Sequence, residues 1–241
     1  MKYKVLSTKK LEPSMIEQAK QNDIEVIEQE FIAVKPIFSE EKFKQIIEWV
    51  RAGIQHIVFT SSNAIDILEQ YFTTENRPDF SDCKIFCLSG KTRVAILNTG
   101  FSEKNIVGQA DNASDLAKKI IAQKTEEVIF FCGNKRRDEL PSILKEAGVI
   151  VHEIAVYETL ETPKVVTDDF DAILFFSPSA VQSFFSVNQL KKTTICFAIG
   201  KTTAENITNF TSNRIITSEF PSQEMLIASV QNYFQNINCY E

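Results

Sequence analysis

Short runs rich in apolar residues punctuate the chain at 3–7, 24–31, 54–60, 85–88, 128–132, 149–156, 172–176 and 195–199. They are short, and most are near-continuously apolar, the pattern of strands covered on both faces of a sheet. Weaker runs at 105–107 and 214–217 extend the set. Between them, apolar positions recur with helical spacing over 13–21, 40–51, 64–71, 91–98, 114–123, 137–147, 180–186, 202–209 and 223–234. Strand and helix in regular alternation, with short loops, predict parallel sheets joined by right-handed crossovers. Gly53, Gly100 and Gly148 follow their helices where a left-handed cap suits glycine. Ser39 precedes Glu40 and Glu41 and reads as an N-cap with acidic residues in the first turn.

The pattern repeats, but not in tandem. The segment 57–65 (IVFTSSNAI) reappears as 173–181 (ILFFSPSAV), 85–92 (IFCLSGKT) as 195–202 (ICFAIGKT), and 113–116 pairs with 223–226. The opening unit, Val5-Leu6-Ser7-Thr8 through Val26, is echoed at Phe130-Phe131-Cys132-Gly133 through Val151. That echo follows the first copy and precedes the second, whereas the original precedes both. A chain that starts one domain, builds a whole second domain and returns to finish the first accounts for this order. The expected architecture is α/β: two similar flavodoxin-like domains with parallel sheets, one discontinuous, with domain 1 at 1–35 and 160–241 and domain 2 inserted at 38–156. The crossings fall at 33–36 and 157–163, both extended and proline-containing, so a two-stranded hinge with a cleft between the domains is expected.

Composition narrows the function. At 241 residues, 44% hydrophobic and 24% charged, the chain can build two ordinary cores. A net charge of −6 argues against nucleic acid, which needs a basic footprint. No apolar stretch is long enough to span a bilayer, and the N-terminus runs into a strand without a signal-like core, so the expected compartment is the cytoplasm, with no membrane partner. The cysteines number 5, without a C-x-x-C pair, and His56 and His152 are the 2 histidines, neither with ligands at metal spacing; no metal site is expected.

In open parallel sheets, ligands sit outside the carboxyl ends of the strands, beside the helix starts that follow. The chain places small polar residues at such points: Thr8-Lys9, Thr60-Ser61-Ser62-Asn63, Ser89-Gly90-Lys91-Thr92, Gly133-Asn134-Lys135, Ser177-Pro178-Ser179 and Gly200-Lys201-Thr202-Thr203. Free backbone N–H groups there hydrogen-bond carboxylate or phosphate. Each loop alone is better read as a plain helix cap; together, several of them carrying lysine, they suggest a polyanion site. The run Lys135-Arg136-Arg137 is either solvated surface or the edge of that site. G-x-x-x-x-G-K-S/T and G-x-G-x-x-G motifs are absent, as are a nucleophile elbow and a Ser/His/Asp set.

These segments, in their order, resemble the uroporphyrinogen-III synthase family. The matching stretches are 58–65, Gly133-Asn134 with Arg137-Asp138-Glu139-Leu140, Leu144 and Gly148 onward, Val156-Tyr157, 175–181 and 198–204. Each motif is common; the ordered set along the chain is specific. The resemblance implies a cyclase of the lyase class acting in haem and sirohaem biosynthesis without a cofactor. Its substrate would be hydroxymethylbilane, a linear tetrapyrrole with eight carboxylates. Loss of the terminal hydroxyl gives an azafulvenium cation, the substituted position of the last ring attacks to give a spirocycle, and fragmentation and reclosure invert that ring. The resemblance points to Tyr157 as the group nearest the departing hydroxyl; a tyrosine packing the crossing is the alternative. It also implies a monomer, in transient contact at most with the preceding pathway enzyme. Thr8-Lys9 stands where family members carry Thr-Arg, which keeps the charge but loses the bidentate fork. A non-catalytic two-domain binding protein for an anionic metabolite is the alternative function.

Overall fold

The computed structural model describes residues 2–72, 78–99 and 101–238. Gly100, the expected cap of the helix over 91–98, lies outside the described residues. In chain order the first elements are β1 (Tyr3–Ser7), α1 (Pro13–Lys20), β2 (Ile24–Glu28), β3 (Ile32–Pro36), α2 (Glu40–Arg51), β4 (His56–Phe59) and α3 (Ser62–Tyr71). Next come β5 (Lys84–Leu88), α4 (Lys91–Leu97), β6 (Ile106–Ala110), α5 (Ala113–Ala122), β7 (Glu127–Gly133), α6 (Glu139–Glu146) and β8 (Ile150–Glu161). The last are β9 (Ala172–Phe175), α7 (Pro178–Phe185), β10 (Ile195–Ala198), α8 (Lys201–Ile207), β11 (Ile215–Thr217) and α9 (Gln223–Asn238). They form two compact units, Met1–Ala33 with Leu160–Glu241, and Val34–Thr159.

The first unit holds a parallel sheet in the order β11-β10-β9-β1-β2. Counted along that unit's own chain, the order read from the other edge is 2-1-3-4-5, the flavodoxin-like winding. The second unit has the order β3-β8-β7-β4-β5-β6, parallel from β8 to β6. If β7 and β8 take the places of β1 and β2, its parallel part is again 2-1-3-4-5, with the first two strands moved to the end. The displaced echo in the sequence is this permutation.

Continuous apolar runs give strands buried on both faces. In the second unit, Ile57, Phe59, Ile85, Cys87, Ile129 and Phe131 face one layer with α2, α3 and α4, while Val58, Phe86, Val128, Phe130 and Cys132 face α5 and α6. The first unit divides the same way, Val5, Leu174 and Phe197 toward α1 and α9, and Leu6, Phe175 and Cys196 toward α7 and α8. Three of the expected caps, at Ser39, Gly53 and Gly148, are present. Lys42 N–H donates to Ser39 Oγ at 3.3 Å, and Gly53 and Gly148 have φ of 97° and 82°.

Some boundaries differ from expectation. The run over 24–31 is not one strand: β2 ends at Glu28, Phe31 turns inward to complete burial, and a separate β3 begins at Ile32. The strand expected to stop at 156 continues to Glu161 because β3 pairs along it. Thr162 N–H donates to Phe31 O and Ile37 N–H to Val156 O, so rising numbers on one strand meet falling numbers on the other and this pair is antiparallel. The helix expected from 137 starts at Glu139, since Arg136 N–H closes a turn onto Gly133 O at 3.2 Å.

Candidate active site

In each sheet the order reverses where two neighbouring strands send their following helices to opposite faces, and the space outside their carboxyl ends is left open. In the second unit these strands are β7 and β4, with α6 in one core layer and α3 in the other. In the first they are β1 and β9, with α1 and α7 divided likewise. The loops leaving these strands carry Gly133-Asn134-Lys135, Thr60 to Asn63, Thr8-Lys9 and Ser177 to Ser179.

Tyr157 stands beside the β7 loop because β8 is irregular there. Cys132 pairs with Ala155 but Gly133 with Tyr157, so one extra residue is taken up on β8. Such a bulge re-aims a side chain. Val156 and the adjacent Tyr157 accordingly pack on the same core layer, which strict alternation forbids. The carbonyls next to the bulge are satisfied: Ala155 O accepts from Lys42 Nζ at 2.6 Å and Val156 O from Ile37 N–H at 3.0 Å. Asn134 holds Tyr157 from both sides. Its N–H donates to Tyr157 O at 3.0 Å, and its Oδ1 accepts Thr159 N–H at 2.9 Å. The Tyr157 ring is half-buried, and its hydroxyl has no hydrogen-bond partner among the described residues.

The remaining candidates divide by what already occupies them. Ser61 Oγ accepts Asn63 N–H at 3.2 Å and Ser177 Oγ accepts Ala180 N–H at 3.2 Å, so both serines are helix caps. Ser62, Asn63 and Ser179 are half-buried in the first turns of α3 and α7. Ser89 Oγ accepts Gln109 Nε2 at 2.9 Å, beside Gly90, whose φ of 71° caps α4. Thr8 is 1% exposed and donates its hydroxyl to Leu174 O at 2.7 Å, which ties β1 to β9 and spends that donor inside the sheet. Lys9, Lys91 and Lys201 are exposed at their loops, and Lys201 is 3.9 Å from Glu205. Thr92 and Thr203 are buried; Gly200 and Thr202 are half-buried at the start of α8. With seven residues each, α4 and α8 offer local N–H donors more than a helix dipole.

Arg136 is not at the service of an anion: it is paired with Glu153 and Asp138. Lys135 and Arg137 are exposed. His152 Nε2 lies 2.9 Å from Glu127 Oε2, a partner 25 residues away that spacing could not reveal, and its ring packs at a tilt against Trp49 with ring centroids 4.6 Å apart. Burial pushes the thiols of Cys87 and Cys132 up to about 11 and that of Cys196 up to about 12, so they are protonated and unreactive near neutral pH. No group of three or more metal-binding side chains exists among the described residues, and none of their helices is long and apolar enough to cross a membrane.

Two loops at the same ends of the sheets were missed in the sequence, at 111–112 after β6 and 218–222 after β11. In the latter, Ser222 Oγ accepts Met225 N–H at 3.2 Å, while Phe220 O accepts Ser218 Oγ at 2.6 Å and its ring stays 59% exposed. The repeat of 113–116 in 223–226 already marked both helix starts and was the available signal.

The family model described as uroporphyrinogen-III synthase HemD matches residues 13–228. Among solved structures, a mutant uroporphyrinogen III synthase from the extremely thermophilic bacterium Thermus thermophilus superposes with a TM-score of 0.67 at 13% identity, over 98% of this chain and 99% of that one. The uroporphyrinogen-III synthetase of Helicobacter pylori gives 0.69 at 14% identity, over 96% and 99%. At such identities the superpositions establish the fold, and it is the family match across most of the chain that decides: the chain belongs to the uroporphyrinogen-III synthase family.

Proposed function

We propose that this protein converts hydroxymethylbilane to uroporphyrinogen III as a cyclising hydro-lyase, with Tyr157 donating a proton to the departing hydroxyl. The observation that carries the reaction is the family match over residues 13–228. The hydroxyl leaves as water, and the cation left behind is attacked by the substituted position of the last pyrrole. After fragmentation and reclosure with that ring inverted, loss of a proton restores aromaticity, so the net change is loss of one water. The enzyme must assist departure and hold the two ends in the geometry that yields the inverted isomer. Positioning and directed hydrogen bonds can supply both. A half-buried phenol whose hydroxyl has no hydrogen-bond partner among the described residues, held at the carboxyl end of β7, suits a proton donor.

The substrate carboxylates are read as bound by the helix-start loops: Thr60 to Asn63, Ser89 to Thr92 and Lys135 in one unit, Lys9, Ser177, Ser179 and Gly200 to Thr203 in the other, while Asn134 beside Lys135 is already bonded to β8. Most of these contacts would be to backbone N–H groups. Single changes at the exposed hydroxyls are therefore mild: Ser62→Ala or Ser179→Ala should raise KM by less than about tenfold, one hydrogen bond being worth about 0.5–1.5 kcal/mol net. Abolished activity in either variant, with unchanged stability, would contradict a distributed site.

Turnover separates catalysis from mere binding. With hydroxymethylbilane generated in situ, the protein should consume many molar equivalents. Uptake that stops at one equivalent, with the bilane recovered unchanged, would make it a binding protein.

A further inference from the structure

The Tyr157 ring occupies the space that a side chain at Gly133 would fill. A Cβ built on Gly133 would lie 2.5 Å from both Cε2 and Cζ of Tyr157 and 2.9 Å from its hydroxyl oxygen. Carbon atoms settle at about 3.5–4.0 Å, so any side chain here would have to displace the ring by roughly 1 Å. The atoms it would meet are those at the hydroxyl end. The backbone of Tyr157 cannot yield easily, because the bulge fixes its register and Asn134 ties both Tyr157 O and Thr159 N–H. What yields is the direction of the phenol.

We propose that Gly133 and Asn134 form a seat that aims the Tyr157 hydroxyl, and so act on the reaction as positioning residues, an inference that rests on the reading of Tyr157 as the proton donor. Glycine is required at 133 for its lack of a side chain, not for its dihedrals: its φ is not in the left-handed region. Asn134 is required for the side-chain oxygen that accepts Thr159 N–H; its backbone N–H bond to Tyr157 O is one that any residue but proline could make. Neither residue needs to touch the substrate.

A similar close approach among the described residues, where no chemistry is expected, supplies a baseline. A Cβ on Gly108 would lie 2.5 Å from Cδ1 of Phe86, a fully buried core ring. Gly108→Ala should lower the melting temperature and leave kcat unchanged. Gly133→Ala should lower kcat by about 10²-fold, the scale expected for a misplacement of about 1 Å, with KM little altered. In a Tyr157→Ala background, where the ring is gone, adding Gly133→Ala should cause no further fall. An equal fall in both backgrounds, or a raised KM with kcat intact, would overturn the inference and make Gly133 a substrate contact. Should Gly133→Ala not fold, Asn134→Ala carries the test: kcat should fall, and Asn134→Asp, which keeps an acceptor for Thr159 N–H, should restore it. An unchanged kcat in Asn134→Ala would overturn the inference. Wild-type turnover in Tyr157→Phe would instead overturn the donor reading, and the inference with it.

Discussion

Tyr157→Phe should lower turnover of hydroxymethylbilane by about 10²–10⁴-fold, the range of general acid catalysis. The substitution removes one oxygen and keeps the ring that packs on the core layer behind β8. Because that hydroxyl has no partner among the described residues, its removal orphans no buried group, and the melting temperature should hardly change. The loss should fall on kcat rather than on affinity, since the hydrogen bond to the leaving oxygen strengthens only as the C–O bond breaks. Near-normal turnover would remove Tyr157 from the chemistry. A lower melting temperature with normal turnover would make it a packing residue.

The largest loss of stability is expected at the ring behind the site. Phe131 lies on β7 two residues before Gly133, is 1% exposed, and stacks on Phe59 with ring centroids 5.3 Å apart. Its neighbours in the layer include Ile57, Ile129 and Ile154, all fully or nearly buried. Phe131→Ala removes the transfer free energy of a benzyl group and opens a cavity, a cost of about 3–5 kcal/mol. Domains are stable by about 5–15 kcal/mol in total, so much of the variant should unfold at physiological temperature. The comparison is Val165→Ala, at a site 70% exposed, where surface changes stay within about 0.5 kcal/mol. Urea denaturation of the two variants decides. A Phe131→Ala cost below about 1 kcal/mol would show that the two-layer packing described for this sheet is not what holds it.

The sheets could be read from the chain because continuous apolar runs and helical spacing are local, and the order of the strands because the repeat was displaced. IVFTSSNAI and ILFFSPSAV became β4–α3 and β9–α7, and the echo of β1–β2 in β7–β8 fixed the permutation. The site was readable only as loops. The sequence put Gly133, Asn134 and Tyr157 on the page, but not that they meet, because their meeting depends on a bulge that nothing in Ile150–Glu161 announces. Arg136 looked like part of a basic run; Glu153, which neutralises it, is on another strand 17 residues away. Thr8 looked like a ligand-facing hydroxyl, yet its acceptor is Leu174, 166 residues away. Local chemistry marks where a chain can bind; long-range partners decide which of those groups are already spoken for.

The central claim is that this chain closes the bilane with inversion of its last ring. The most direct measurement is to supply hydroxymethylbilane continuously, stop the reaction, oxidise the products to uroporphyrins and separate the type I and type III isomers by chromatography. Spontaneous closure gives type I. With the protein present at catalytic amounts, type III should predominate and its yield should rise in proportion to enzyme concentration. Type I alone, at the rate seen without protein, would contradict the account.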